Sequence, residues 1–169
     1  MRAVHFNMDE IFDMAERIER NGFQFYSHLA QQFSEPDLKR MFEELASMEA
    51  QHERTFAAMR KALPPEPLPK AEQFEPDSQA DDYLWAWSDS HVFNIADNPL
   101  AGLTGGEKPI EVMEMAIGRE KDSIVFYHGL TGSLASQQDV EAVDAIISEE
   151  MHHIAILTGM IRMLETQCS

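Results

Sequence analysis

The chain has 169 residues, 44% of them hydrophobic, and a formal net charge of -17. The length suffices for one domain with a sizeable core, and eleven methionines and ten phenylalanines suit helix packing better than sheets. The acidity excludes nucleic acid and anionic membrane surfaces as partners, because both repel such a surface, while it concentrates metal cations around the protein.

The first element opens with an Asn-x-x-Glu capping pattern at Asn7 and Glu10. Phe12, Ala15, Gly22 and Leu29 then recur at helical spacing, with Glu19 and Tyr26 on the same stripe. This predicts a helix over about 8–32. Ser34, followed by Pro36 and Asp37, reads as a serine cap with an early proline and starts a second helix over about 34–62. Its buried face runs through Leu38, Met41, Leu45, Phe56 and Met59, with Glu49 and His52 between them, and Pro64-Pro65 ends it.

Residues 63–108 form a long crossover. Five prolines between 64 and 76 make its first part extended. A short helix is expected over about 79–95, carrying Tyr83, Leu84, Trp87, His91 and Ile95. Asn98-Pro99 ends it, and Gly102, Gly105 and Gly106 make a loop. Trp85, Trp87 and Phe93 make the segment too apolar for a free linker. Pro109 fits the first turn of a third helix, about 109–131, with Ala116, Glu120, Ser123, Tyr127 and Leu130 on its stripe. Ser136, with Asp139 three positions on, caps a fourth over about 137–166. Its stripe holds Val140, Val143, Ile147, Glu150, His153 or Ile154, Leu157, Ile161 and Leu164.

A shift of 101 residues lays the first two helices on the last two without a gap. Met14, Ala15, Glu19, Phe25, Tyr26, Leu29, Ser47, Glu49, His52 and Met59 all meet identical residues. Helical composition accounts for the apolar matches; it does not account for polar core positions repeating in the same register. Two similar hairpins packed by pseudo-twofold symmetry would bring two Glu-x-x-His motifs, Glu49/His52 and Glu150/His153, face to face.

Positions i and i+3 lie one turn apart on one face of a helix, so each motif can aim a carboxylate and an imidazole at one point in a bundle interior. A carboxylate among Val143, Ile147 and Leu157 cannot stay charged without partners. Four of them, Glu19, Glu49, Glu120 and Glu150, must be protonated or held by cations. Two divalent metals balance four carboxylates and two neutral histidines. Mixed carboxylate and imidazole ligation suits iron or manganese, with zinc third. Glu19 and Glu120 would each cap one metal, Glu49 and Glu150 would bridge, and His52 and His153 would bind one each. Tyr26 and Tyr127, two turns beyond Glu19 and Glu120, are placed to hydrogen-bond to ligand carboxylates across the bundle.

This constellation resembles the ferritin-like superfamily of di-iron carboxylate proteins, and within it the rubrerythrin-like branch, which sets one Glu on each of two helices and Glu-x-x-His on the other two. The matching positions are Glu19, Glu49, His52, Glu120, Glu150 and His153. The resemblance implies an all-α, ferritin-like four-helix bundle with one long crossover between helices 2 and 3, spanning 1–169 as a single domain. It also implies two iron ions and redox chemistry with peroxide or dioxygen, of the peroxidase or ferroxidase type. Rubrerythrins proper carry a rubredoxin module with four cysteine ligands. This chain's single cysteine, Cys168, excludes such a module and an intrachain disulfide framework, so an external electron donor is expected. Rubrerythrins also use an extra Glu three residues from the first on helix 3, where Ile117 and Ser123 stand here.

Glu16, three before Glu19, reads as a solvated residue with an alternate ligand as its second reading, and His91 reads as a packing histidine with an approach to the site as its second. A register using Glu149 and His152 is formally open, but the repeat favours Glu150 and His153. No stretch approaches the roughly 18 apolar residues of a membrane span, and the N-terminus has no apolar signal region. The expected setting is therefore cytoplasmic, with no membrane partner, and the apolar crossover suggests a homodimer. Two rival readings accompany the enzyme: an iron storage or sensor bundle without turnover, and an interaction bundle whose buried polar residues only fix helix pairing.

Overall fold

Amphipathic stripes at helical spacing become helices at nearly the expected boundaries. The computed structural model describes residues 8–63, 100, 102–132, 134 and 136–167. In these residues the chain forms α1 (Met8–Gln32), α2 (Pro36–Lys61), α3 (Pro109–Thr131) and α4 (Gln137–Gln167). The expected helix over 79–95 with His91, the cap at Asn7, and Cys168 lie outside the described residues.

The helix starts show which local signals acted. α2 is capped by Glu35, extended at φ -63° and ψ 123°, with no side-chain cap. Ser34 is therefore not the cap: the residue before a proline is driven out of the helical region, so Pro36 sets the start. Pro109 begins α3, and the Lys108 backbone N–H donates to Glu111 Oε2 at 2.9 Å. Ser136 does cap α4, its Oγ accepting from the Asp139 backbone N–H at 3.4 Å. In the loop before α3, Gly102 and Gly105 take φ of 91° and 83°, where a side chain would be strained.

α1 packs along α2 and α3 along α4, giving two hairpins that meet with α1 beside α3 and α2 beside α4. This is an all-α four-helix bundle. In the first hairpin Arg60, near the end of α2, pairs with Asp9 at 2.7 Å and Asp13 at 2.6 Å near the start of α1. The second hairpin has Ile161 at the position corresponding to Arg60.

The core divides in two. One apolar cluster contains Phe12, Ile18, Phe56, Phe126, Val143 and Ile147. The other contains Phe25, Leu29, Phe42, Leu45, Met113 and Leu157. Between them along the helices lie the buried polar residues Glu19, Glu49, His52, Glu120, Glu150 and His153. Apolar packing on both sides holds this polar band in place and keeps water from it. No helix among the described residues is long and apolar enough to cross a membrane.

Candidate metal centre

Each helix contributes to the band in the way its stripe dictates. Glu19 on α1 and Glu120 on α3 are single carboxylates. Glu49 and His52 on α2, and Glu150 and His153 on α4, sit one turn apart on the inner faces. All six are at most 4% exposed. The pseudo-twofold packing stacks the His52 and His153 rings, with centroids 5.8 Å apart and planes 21° apart.

The polar atoms fall into two overlapping sets. Glu19, Glu49, His52 and Glu150 form one; Glu49, Glu120, Glu150 and His153 form the other. Within each set one donor atom per residue lies within 4.8 Å of all the rest. Glu49 and Glu150 belong to both. Glu150 spans the two imidazoles, Oε1 at 2.9 Å from His52 Nδ1 and Oε2 at 3.0 Å from His153 Nδ1. Glu19 Oε2 lies 3.3 Å from His52 Nδ1, and Glu120 Oε2 lies 3.5 Å from His153 Nδ1.

Several of these separations are hydrogen-bond lengths, yet the alignment is not that of hydrogen bonds. Glu19 Oε2, Glu49 Oε1, both Glu150 oxygens and the Nδ1 atoms of His52 and His153 are all buried without a hydrogen-bond partner among the described residues. Buried polar groups are almost always paired. Six unpaired donor atoms converging on one another is the arrangement of ligands aimed at cations, and it fits two metal ions with mixed oxygen and nitrogen ligation.

Without cations the band must hold protons. Burial, with repulsion from Glu150, Glu19 and Glu120, pushes the Glu49 carboxyl well above the usual range. Burial and the close approach of Glu150 raise Glu120 to about 8. Burial pulls the two imidazoles down, but the carboxylates beside them more than offset it, raising His52 to about 11 and His153 to about 10. Burial also opposes ionisation of Glu150, yet the close approach of Glu120, His153 and His52 holds it below the usual carboxylate range. One central carboxylate is therefore held charged between two imidazoles that favour their cationic form, while burial favours the protonated form of the carboxyls around it. Metal ions would replace those protons.

Two tyrosines tie the hairpins together at the single carboxylates. The Tyr26 hydroxyl on α1 donates to Glu120 Oε1 on α3, and the Tyr127 hydroxyl on α3 donates to Glu19 Oε1 on α1. Burial and the adjacent carboxylate raise each phenol well above its ordinary value, so each stays a donor. The crossed pair leaves the second oxygen of each glutamate turned toward the histidines.

Two residues have roles the sequence reading did not assign. Gly22, one turn beyond Glu19, lies against Glu49: a Cβ there would fall 2.5 Å from Glu49 Oε2 and 2.9 Å from its Cδ. It was legible only as a small residue on the stripe. Glu149 is half exposed, and its Oε2 lies 2.8 Å from His52 Nε2; its signal was its position beside Glu150. The alternative pairing of Glu149 with His152 does not form, since His152 is exposed and Glu150 and His153 are the buried pair. Glu16 faces Arg60 at 3.5 Å and Arg20 at 3.9 Å rather than the ligand cluster.

The model of the Rubrerythrin family matches residues 10–82. Among solved structures, the chain is similar to a Thermotoga maritima protein provisionally described as a ferritin-like diiron-carboxylate protein. The two share 25% identity with a TM-score of 0.67, over 95% of this chain and 98% of that one. None of the curated proteins matches at a significant level.

Proposed function

We propose that this chain is a rubrerythrin-like protein with a diiron-carboxylate type of site, and that it is a non-haem di-iron oxidoreductase acting on peroxide or dioxygen. The observation that carries the proposal is the convergence of six buried metal-ligating residues from four helices, with six of their donor atoms unpartnered among the described residues. Glu19, Glu49, His52 and Glu150 would hold one iron, and Glu49, Glu120, Glu150 and His153 the other. Two ferrous ions, when bound, supply the two electrons that reduce the oxidant.

The chain's own residues do the rest. Tyr26 and Tyr127 hold Glu120 and Glu19 in one orientation across the hairpins. Glu150 spans both histidines and orders the shared centre. The two apolar clusters exclude bulk water from either side, which strengthens every charge interaction between them. Manganese or zinc would be accepted by the same donors. With one cysteine in the 169 residues, which cannot form a four-cysteine iron module, the electrons would come from a donor outside them. We take the assembly to be a cytoplasmic homodimer.

Stopped-flow oxidation of the ferrous-loaded protein by peroxide, with a reductant in excess, tests the reading. Repeated turnover supports an enzyme. A single oxidation per loading instead supports an iron-holding bundle without turnover.

A further inference from the structure

The 101-residue repeat matches every proposed ligand to its counterpart and then breaks beside them. Glu149 stands in the second copy where the first has Met48. The break has a structural consequence. His52 turns Nδ1 inward to Glu19 and Glu150, while its outer nitrogen, Nε2, meets Glu149 Oε2 at 2.8 Å. His153 also turns Nδ1 inward, but its Nε2 is buried with no hydrogen-bond partner among the described residues.

A neutral imidazole that gives Nδ1 to a metal must carry its proton on Nε2. For His52 that N–H donates to Glu149, which fixes the tautomer and ring orientation and raises ligand basicity. For His153 the same tautomer leaves a buried N–H unmet by any of the described residues. The free-energy loss from such a group corresponds to roughly tenfold or more in affinity. The other tautomer of His153 would place a proton where the metal must bind.

Resting on the two-metal reading above, we propose that Glu149 is a positioning residue for His52 that makes the two metal positions unequal. The position bounded by Glu19, Glu49, His52 and Glu150 fills first and more tightly. The position bounded by Glu49, Glu120, Glu150 and His153 fills second. Glu149 is half exposed, so it links the tighter position to solvent without itself being a ligand.

The test is an anaerobic titration of the metal-free full chain with Co(II), followed by calorimetry and by visible absorption. The wild-type protein binds two ions in resolved steps, the first about tenfold or more tighter. Glu149→Ala weakens the first step by about 10- to 100-fold and leaves the second unchanged, so the steps merge. Glu149→Gln, whose amide oxygen still accepts from Nε2, loses less. Thermal melts of the metal-free variants show whether the fold is intact. Two equal steps in the wild type would overturn the proposal. So would a Glu149→Ala variant that changes neither step, or weakens both alike. Failure of the wild type to bind Co(II) at all is a different result: it would remove the two-metal reading, and this inference with it.

Discussion

Gly22→Ala separates the stability of the bundle from its capacity for metal. An added Cβ would lie 2.5 Å from Glu49 Oε2, and ordinary contact begins near 3.4 Å, so the carboxyl must retreat by about 0.9 Å. The crowded atoms are the far end of a flexible side chain, so Glu49 moves and the α1 backbone does not. In the metal-free protein two effects oppose. Alanine in a helix interior gains about 1 kcal/mol over glycine, while crowding a packed interior costs about 1–3 kcal/mol. The net is a loss of at most about 2 kcal/mol, a fall in Tm of no more than about 8 °C for a chain of this size. Metal binding is less forgiving, because ligand distances tolerate only about 0.2 Å. A carboxylate shared by both positions, displaced by about four times that, weakens uptake by about 10- to 100-fold. Co(II) titration beside a thermal melt of the metal-free protein measures both. Wild-type affinity in Gly22→Ala would refute the reasoning, since it would mean that Glu49 can move freely and still serve.

Three further outcomes follow from the same geometry. Replacing Glu49 and Glu150 together by leucine abolishes metal uptake and, because it takes the charged Glu150 from between two protonated histidines, lowers the stability of the metal-free bundle by about 3–5 kcal/mol, read as a fall in Tm; an unchanged or higher Tm would show that Glu150 does not hold the histidines charged. Metal uptake releases protons: His52 near 11, His153 near 10 and Glu120 near 8 hold protons in the metal-free protein at pH 7 and must give them up. Raising pH toward these values removes the competing proton, so affinity rises with pH and falls in acid. An indicator dye in weak buffer should register at least two protons per chain on full loading, and no acidification would contradict the ligand assignment. Tyr127→Phe and Tyr26→Phe each remove a hydrogen bond to a buried carboxylate, worth about 1.5–3 kcal/mol when that group is charged. Each should weaken metal binding while the circular dichroism of the bundle is retained, and unchanged binding in both would show the tyrosines to be packing residues only.

Much of this was legible in the sequence because two periodicities coincide. The 3.6-residue stripe placed Glu19, Glu49, His52, Glu120, Glu150 and His153 on buried faces, and the 101-residue repeat required the two halves to face one another. The bundle places all six together. The pairing of Tyr26 with Glu120, and of Tyr127 with Glu19, was legible only as a kind of contact. Which glutamate each hydroxyl reaches depends on how the hairpins dock, and spacing along one helix does not encode that. Ser34 misled because a capping preference of about 1 kcal/mol yields to the steric demand of Pro36 on the residue before it. Glu149 lay hidden because it is not on the buried stripe at all. It acts from the rim, through a histidine on another helix.

The central claim is that one polar band holds two metal ions, and anomalous scattering at the iron edge from crystals of the ferrous-loaded protein tests it most directly. The account predicts two peaks per chain, one bounded by Glu19 and His52 and the other by Glu120 and His153, with Glu49 and Glu150 between them. A single peak, a peak elsewhere, or none after loading would contradict it.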